Sequence, residues 1–454
     1  EICVMENFQM LLRQHVGAPC APVVKVGDKV KKGTLIAEPT GLGANIFSSV
    51  YGVVEEITED RIIIKPDAEQ PEEYEKIPEG TVLEKVKAAG VVGLGGAGFP
   101  TAVKLDAKFE DGGYVLVNAS ECEPGLKHNI KEIEIDPDKL CRGVKYAMEV
   151  SGANKGIIAI KKKNRFAVER LDEVLVNYPD IERQLLADIY PMGEERAVVR
   201  ECLGIELEPT QLPSAAKAIV LNSETCYKIV EAVEELKPLV EKNLTVRGRI
   251  NGGYGAHVFM NQPIGMAVKD LIEKAGGIYG EYGEISMGGA FTGKPCSLED
   301  PTVKATGAIL VSAPFEDYKG AKCGILVCAC GGNLERMEGI AKNYNFDVVS
   351  VCYCKQAQEQ KNGTRKCERP GNCPGQVANL LEYKKAGAEY VLIGNCSDCS
   401  NTVMANAPKL KQNVIHQTDH FMKVVDHDFY RALRISKHVS QDMNFVDNAI
   451  NEQE

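Results

Sequence analysis

Gly93-Leu94-Gly95-Gly96-Ala97-Gly98-Phe99-Pro100-Thr101 is the stretch on which the reading of this chain turns. It contains G-x-G-x-x-G, whose glycines let backbone N–H groups approach a phosphate or a flat ring closely. Pro100 suits the first turn of a following helix, whose N-terminus favours an anion. A dinucleotide fingerprint also asks for a strand before, a helix after and an acid about 20 residues on. Only Val91-Val92 precede the glycines, but Glu121 and Glu123 follow a strand over Tyr114-Val115-Leu116-Val117. Alone, the stretch could also be a glycine-rich surface turn.

Outward from the loop, the pattern predicts an α/β and α+β multidomain chain. From Pro22 to Thr58 short β-prone runs alternate with turn signals, a small all-β unit within residues 1–80, and Pro66 to Gly80 reads as a linker. Residues 81–240 alternate strands (Tyr114 to Val117, Gly156 to Ile160) with helical periodicity (Leu140 to Val150, Arg165 to Tyr178), which is α/β. Residues 241–320 are Gly-rich and β-branched around one amphipathic helix, Gly265 to Ala275. Residues 321–454 alternate apolar strands with helices, turn helical past Thr402, and end in a polar tail, Asn444 to Glu454, expected to fray.

The 454 residues carry 53 Lys+Arg against 64 Asp+Glu, a net charge of -11, which argues against nucleic acid as a partner. Neither a long apolar run nor a secretory signal is visible, so a cytoplasmic location without a membrane span is expected. Of 16 cysteines, nine crowd between Cys323 and Cys399. Cys328-Ala-Cys330 and Cys352-Tyr-Cys354 are too close for unstrained bridges within each pair, and no His lies in the region. An all-thiolate shell suits an iron-sulfur cluster or a four-cysteine zinc site.

The glycine loop with Lys104, then Asn118-Ala119-Ser120-Glu121-Cys122-Glu123-Pro124-Gly125, Tyr190-Pro191-Met192-Gly193-Glu194-Glu195 and Asn222-Ser223-Glu224-Thr225, resemble in order the flavin-binding segments of the RnfC proteins of Rnf complexes and of the NADH-oxidising subunit of complex I. The resemblance runs from about Val16 to Pro314. It implies a barrel-sandwich N-terminal unit, an α/β domain binding FMN and NADH, and a β-grasp (SLBB-like) module. By that resemblance Gly93, Gly95, Gly96, Gly98, Lys104, Asn118 and Glu121 hold FMN, with Glu194, Asn222, Ser223 and Thr225. Phe99, Glu123 and Glu195 face NADH, the two glutamates as catalytic residues. The later aromatic contacts of the complex I protein have no counterpart in Arg196 to Leu212.

The two ferredoxin-style cysteine runs of RnfC proteins are absent. Instead, Cys328-Ala329-Cys330-Gly331-Gly332-Asn333, Cys373-Pro374-Gly375-Gln376 and Cys396-Ser397-Asp398-Cys399 resemble the N-terminal iron-sulfur domain of the HdrA component of heterodisulfide reductases. The resemblance implies a [4Fe-4S] cluster on Cys328, Cys330, Cys373 and Cys396, leaving Cys352, Cys354, Cys367 and Cys399 as a second site, a replacement or a redox pair. The whole is similar to the PrdC-type electron-transfer proteins associated with D-proline reductase, which implies NADH to FMN to cluster to a partner reductase. The alternatives are a peripheral member of a membrane Rnf-type complex working with ferredoxin, and a non-enzymatic zinc-binding scaffold. Cys20 reads as an incidental loop cysteine rather than a redox thiol, and Cys122 as packing.

Overall fold

Short β-branched runs punctuated by Gly and Pro cannot sustain helices, and residues up to Pro66 form two small antiparallel sheets in the computed structural model, which describes residues 7–96, 98–253, 255–394 and 396–432. One sheet has the order Phe8–Leu11, Arg61–Pro66, Gly52–Ile57, Lys29–Val30, and the other Cys20–Pro22, Leu35–Pro39, Ile46–Phe47. Residues 67–80 carry neither helix nor strand. Thr81 and Glu84 then form a reciprocal capping box that starts the helix Val82–Ala88.

The middle unit is a four-stranded parallel sheet in the order Ile181–Leu186, Lys155–Lys161, Tyr114–Ala119, Ala218–Asn222. Its helices include Pro137–Ser151, Arg165–Leu175, Glu195–Leu203 and Ser223–Glu234. The strands Tyr114–Ala119 and Ala218–Asn222 are neighbours, so the motifs at their carboxyl ends are brought side by side, where open α/β sheets place ligands. The loop Gly93 to Gly98 enters from no strand but from an isolated bridge, Val92 to Pro100, and the helix after it, Thr101–Leu105, is a single turn.

The third unit is a five-stranded mixed sheet, His257–Pro263, Glu241–Gly248, Ala308–Val311, Ile285–Met287, Lys294–Cys296. Its helix spans Val268–Lys274, shorter than the periodicity implies, because Gly265 holds φ +92° and Ala267 is extended. This unit and the N-terminal sheets, distant in sequence, share one hydrophobic core that includes Met10, Ile62, Leu244 and Val311.

The last unit is again a parallel sheet, Asp347–Tyr353, Lys322–Val327, Tyr390–Ile393, Asn413–His416, with a hairpin of Ala357–Glu359 and Arg365–Cys367 projecting from it. The expectation of helix alone past Thr402 is corrected. Asn413–His416 buries Val414, Ile415 and His416 as the fourth strand, because pairing with Tyr390–Ile393 overrides a weak local pattern. The tail Asn444 to Glu454 lies outside the described residues. Among those residues no helix is long and apolar enough to cross a membrane.

Candidate functional site

At the carboxyl ends of the middle strands lies a cleft of about 390 Å³. Leu94, Gly95 and Gly96 form one wall, Asn118, Glu121 and Glu123 a second, and Glu194 and Asn222 a third. Gly288, Gly289 and Thr292 close it from the third unit, and Cys330, Gly331 and Cys367 from the last. Motifs separated by more than two hundred residues therefore face one space.

The glycine loop is held in shape by its own backbone. Gly93 N–H donates to Phe99 O at 2.8 Å, Gly98 N–H to Gly93 O at 3.0 Å, and Leu94 N–H to the Thr225 hydroxyl at 3.1 Å. Gly93, Gly98, Phe99 and Thr225 thus shape the loop and do not line the cleft. Gly98 O instead accepts from Val16 N–H at 3.0 Å, fastening the loop to the N-terminal unit. Gly96, at φ +107° with open space where a Cβ would stand, is a conformation and a vacancy that glycine supplies.

Helix N-termini position two further residues. Asn222 caps Ser223–Glu234 and donates from Nδ2 to Asn129 Oδ1 at 3.1 Å, while Ser223 Oγ is buried without a protein partner. Glu194 caps Glu195–Leu203, accepting from Arg196 and Ala197 N–H. Asn118 donates to Gly193 O at 3.0 Å and accepts from the Ser120 hydroxyl at 2.7 Å, which locks its amide toward the cleft wall. Ser223 itself does not line the cleft, but a cleft of this volume walled by amide donors and by the open Gly96 fits a flavin mononucleotide.

Three predicted contacts are arranged differently. Lys104 and Glu195 do not line the cleft; they pair with each other at 2.7 Å, and Lys104 also donates to Val220 O at 2.9 Å. A cation on a one-turn helix finds the nearest carboxylate. Glu123 lines the cleft but is already engaged, its oxygens accepting from Phe291 N–H at 2.8 Å and Thr292 N–H at 3.0 Å. A Cβ at Gly289 would lie 2.1 Å from its carboxyl group, so Gly289 permits this clasp. Burial raises Glu123 above the usual carboxylate range and pushes Glu121 up to about 7.

Beneath the cleft is a polar layer that the motifs did not reveal. Glu224 and Lys242 form an ion pair with side chains 0% and 1% exposed, and Asn243 joins Glu224 to Glu132 through its N–H at 2.9 Å and its amide at 2.6 Å. His128 and Asn129 follow the Glu121 motif by a few residues, the one signal in the sequence that could have drawn attention to them. Cys122 does more than pack, since its sulfur accepts from Gly193 N–H at 2.8 Å on the cleft wall. Cys20 is buried and donates to Ala44 O at 3.3 Å, with burial raising its thiol, as suits an incidental cysteine.

In the last unit the sulfurs of Cys328, Cys330 and Cys396 lie within 4.8 Å of one another, all buried. Hydrogen bonds from Cys330, Cys396 and Cys399 hold the Cys328 thiol well below its usual range. Cys373, predicted as the fourth ligand, stands outside this group of three. It contacts Cys399, the Thr402 hydroxyl at 3.1 Å and Gln376 Nε2 at 3.3 Å, because Asp398 holds its N–H at 2.7 Å. Cys367 contacts Cys330 on the side facing the cleft. The described cysteines are all free, so the donor set is all-thiol and fits an iron-sulfur cluster. Two guanidinium groups dock this unit on the cleft: Arg196 donates to Cys367 O and Arg200 to Pro370 O, each at 2.7 Å.

Comparison with known proteins accords with this arrangement. Residues 1–70 match the RnfC barrel sandwich hybrid domain, and residues 86–231 match the Nuo51 FMN-binding domain. Cobalamin reductase PduS of Salmonella typhimurium is 40% identical over 232 residues, which are 51% of this chain and 49% of that one, so the match spans about half of such relatives. The RnfC-type component of the proton-translocating ferredoxin:NAD(+) oxidoreductase complex of Clostridium ljungdahlii is 32% identical over 70% of this chain and 74% of its own. Its counterpart in the Na(+)-translocating complex of Acetobacterium woodii is 31% identical over 65% and 71%. With homology at that level running through both matched domains and across most of these two relatives, the chain belongs to the RnfC-like family.

Proposed function

We propose that this protein oxidises NADH at FMN and passes the electrons singly, through a [4Fe-4S] cluster, to a partner reductase. The observation that carries this reading is that Cys330 and Cys367 line the same cleft as the glycine loop, Asn118 and Asn222. FMN, when bound, supplies the exchange of a hydride's paired electrons for single ones. Gly95 and Gly96 offer backbone N–H groups, Asn118 and Asn222 offer amides to the polar edge of a flavin, and Glu121 and Glu194 accept hydrogen bonds. Glu123 holds the Phe291–Thr292 loop over the cleft, excluding water from that side. Cys328, Cys330 and Cys396 would ligate the cluster, with Cys373 the fourth ligand by resemblance and Cys399, which contacts both Cys328 and Cys373, the alternative.

D-proline reductase is the partner implied by the resemblance, in the cytoplasm. The Rnf-type relatives favour a second reading of the same chemistry, in which the chain docks on a larger ferredoxin-linked redox assembly. Anaerobic purification and a visible spectrum before and after NADH test the reading. Flavin and iron-sulfur absorption that both bleach are the expected result. Bands that persist would remove NADH as donor, and zinc without iron would leave a scaffold.

A further inference from the structure

Glu121 stands in the wall between two spaces. On one side is the flavin cleft; on the other is a second cavity of about 140 Å³, and Glu121, Cys122, Glu123 and Leu126 line both. The second cavity has room for roughly five water molecules. It is lined by Lys161, Lys163, Asp188, Asn164 and His427, and reaches the surface at the exposed Lys127 and Asp426. Asn164 Nδ2 is buried there with no protein partner, as expected of a group that bonds water.

Glu121 is held in an uncommon conformation to stand there. Its φ is +41°, in the left-handed region where a non-glycine residue is strained, and such strain persists where the surroundings enforce it. Its side chain is 9% exposed. Oε2 accepts from Asn129 N–H at 3.2 Å and lies 3.9 Å from His128 Nδ1. Among the described residues Oε1 accepts no hydrogen bond, whereas both oxygens of Glu123 are occupied. The charged groups around it are Glu123 on its own loop, His128 on the next helix, Lys161 on the adjacent strand, and Glu224 and Lys242 beneath. Burial outweighs the Asn129 hydrogen bond and the Lys242 charge, setting the carboxyl up to about 7, where it takes and gives a proton near neutral pH.

We infer that Glu121 is the proton exit of the flavin cleft, taking the proton left behind when electrons depart and passing it to the water of the second cavity. This rests on the reading that hydride from NADH leaves as two single electrons. The balance is NADH plus two oxidised clusters to NAD+ plus two reduced clusters plus one proton. The C–H bond of the nicotinamide breaks and an N–H bond of the flavin forms. That N–H bond breaks as the second electron leaves, an O–H bond forms on Glu121, and the proton then moves to cavity water.

The test uses the full chain with FMN bound, reduced by light instead of by NADH, then mixed with ferricyanide in weak buffer containing a pH-indicating dye. In the wild type, proton release keeps pace with the return of flavin colour. In Glu121→Gln, and in Asn164→Leu, which puts an apolar side chain in place of the unpartnered amide in the cavity wall without touching the cleft, release lags by about tenfold or more. Glu121→Asp restores it. A carboxyl stretching band that titrates near neutral pH in the infrared difference spectrum, lost in Glu121→Gln, is the second expected readout. If Glu121→Gln fails to hold FMN, Asn164→Leu decides. Proton release in phase with flavin in a variant that holds FMN overturns the inference. Failure of NADH to bleach the flavin, with the lag intact, removes the hydride donor and leaves the proton exit standing.

Discussion

Replacing Arg196 and Arg200 together by alanine removes the two guanidinium groups that dock the cysteine-rich unit on the flavin cleft. Each donates to a backbone carbonyl at 2.7 Å, from side chains 7% and 20% exposed. A hydrogen bond from a charged donor contributes about 1.5–3 kcal/mol, and the deserted carbonyls add to the cost. The low end for two such bonds is about 3 kcal/mol, which at an m-value of about 1.5 kcal/mol per M lowers a urea midpoint by about 2 M. The assay is urea titration with two probes: maleimide labelling of Cys323 to Cys399, located by peptide mass spectrometry, and the fluorescence of released flavin. The double variant exposes the cysteines about 2 M earlier than the wild type, while flavin release moves much less. Cysteines that stay protected to the wild-type midpoint would refute the docking role of these arginines.

Glu284 accepts from Arg336 and from His420 Nε2, and these bonds outweigh burial to hold its carboxyl at about 2, against an ordinary 4.5. Its contribution is therefore complete above pH 4.5 and is lost as pH falls through about 2; Glu284→Gln costs about 3 kcal/mol at pH 7, and thermal unfolding shows the gap to wild type closing in acid. Glu123→Gln leaves one of the two clasping N–H groups of Phe291 and Thr292 facing an amide donor. It should cost about 1–3 kcal/mol in stability and raise KM for NADH more than it lowers kcat, measured by steady-state kinetics. Cys328→Ser should strip iron from the protein, whereas Cys20→Ser keeps both iron and flavin, as metal analysis and the visible spectrum will show.

Much of the cleft was legible because its residues sit in short motifs at strand ends. Glu121 and Glu123 after Tyr114–Ala119, and Asn222 as the last residue of Ala218–Asn222, face one space because parallel neighbours deliver their carboxyl ends to the same edge. The pairing of Lys104 with Glu195, 91 positions apart, was not legible, since nothing local distinguishes a lysine awaiting phosphate from one already neutralised. Nor was the docking of Cys367 over the cleft, which depends on a guanidinium from another unit meeting a backbone carbonyl. The strand Asn413–His416 escaped notice because four residues are too few for periodicity to register, and its pairing partner lies across a helix. The place of Cys373 beside Cys399, Thr402 and Gln376 was not legible either, since spacing reports that thiols are near one another and not which of them converge.

Lys304, in the third unit, sends its buried side-chain nitrogen to the carbonyl oxygens of Asn45 and Gly90, one just before the N-terminal strand Ile46–Phe47 and the other shortly before the flavin loop, and its N–H to Gln14. A break at the Pro66 to Gly80 linker, where a map of the sequence invites one, would part this lysine from Asn45, and a break after residue 240 would leave both carbonyls without it. Recombination in this family should accordingly avoid crossovers at both points, so that the three units before residue 320 are inherited as one block.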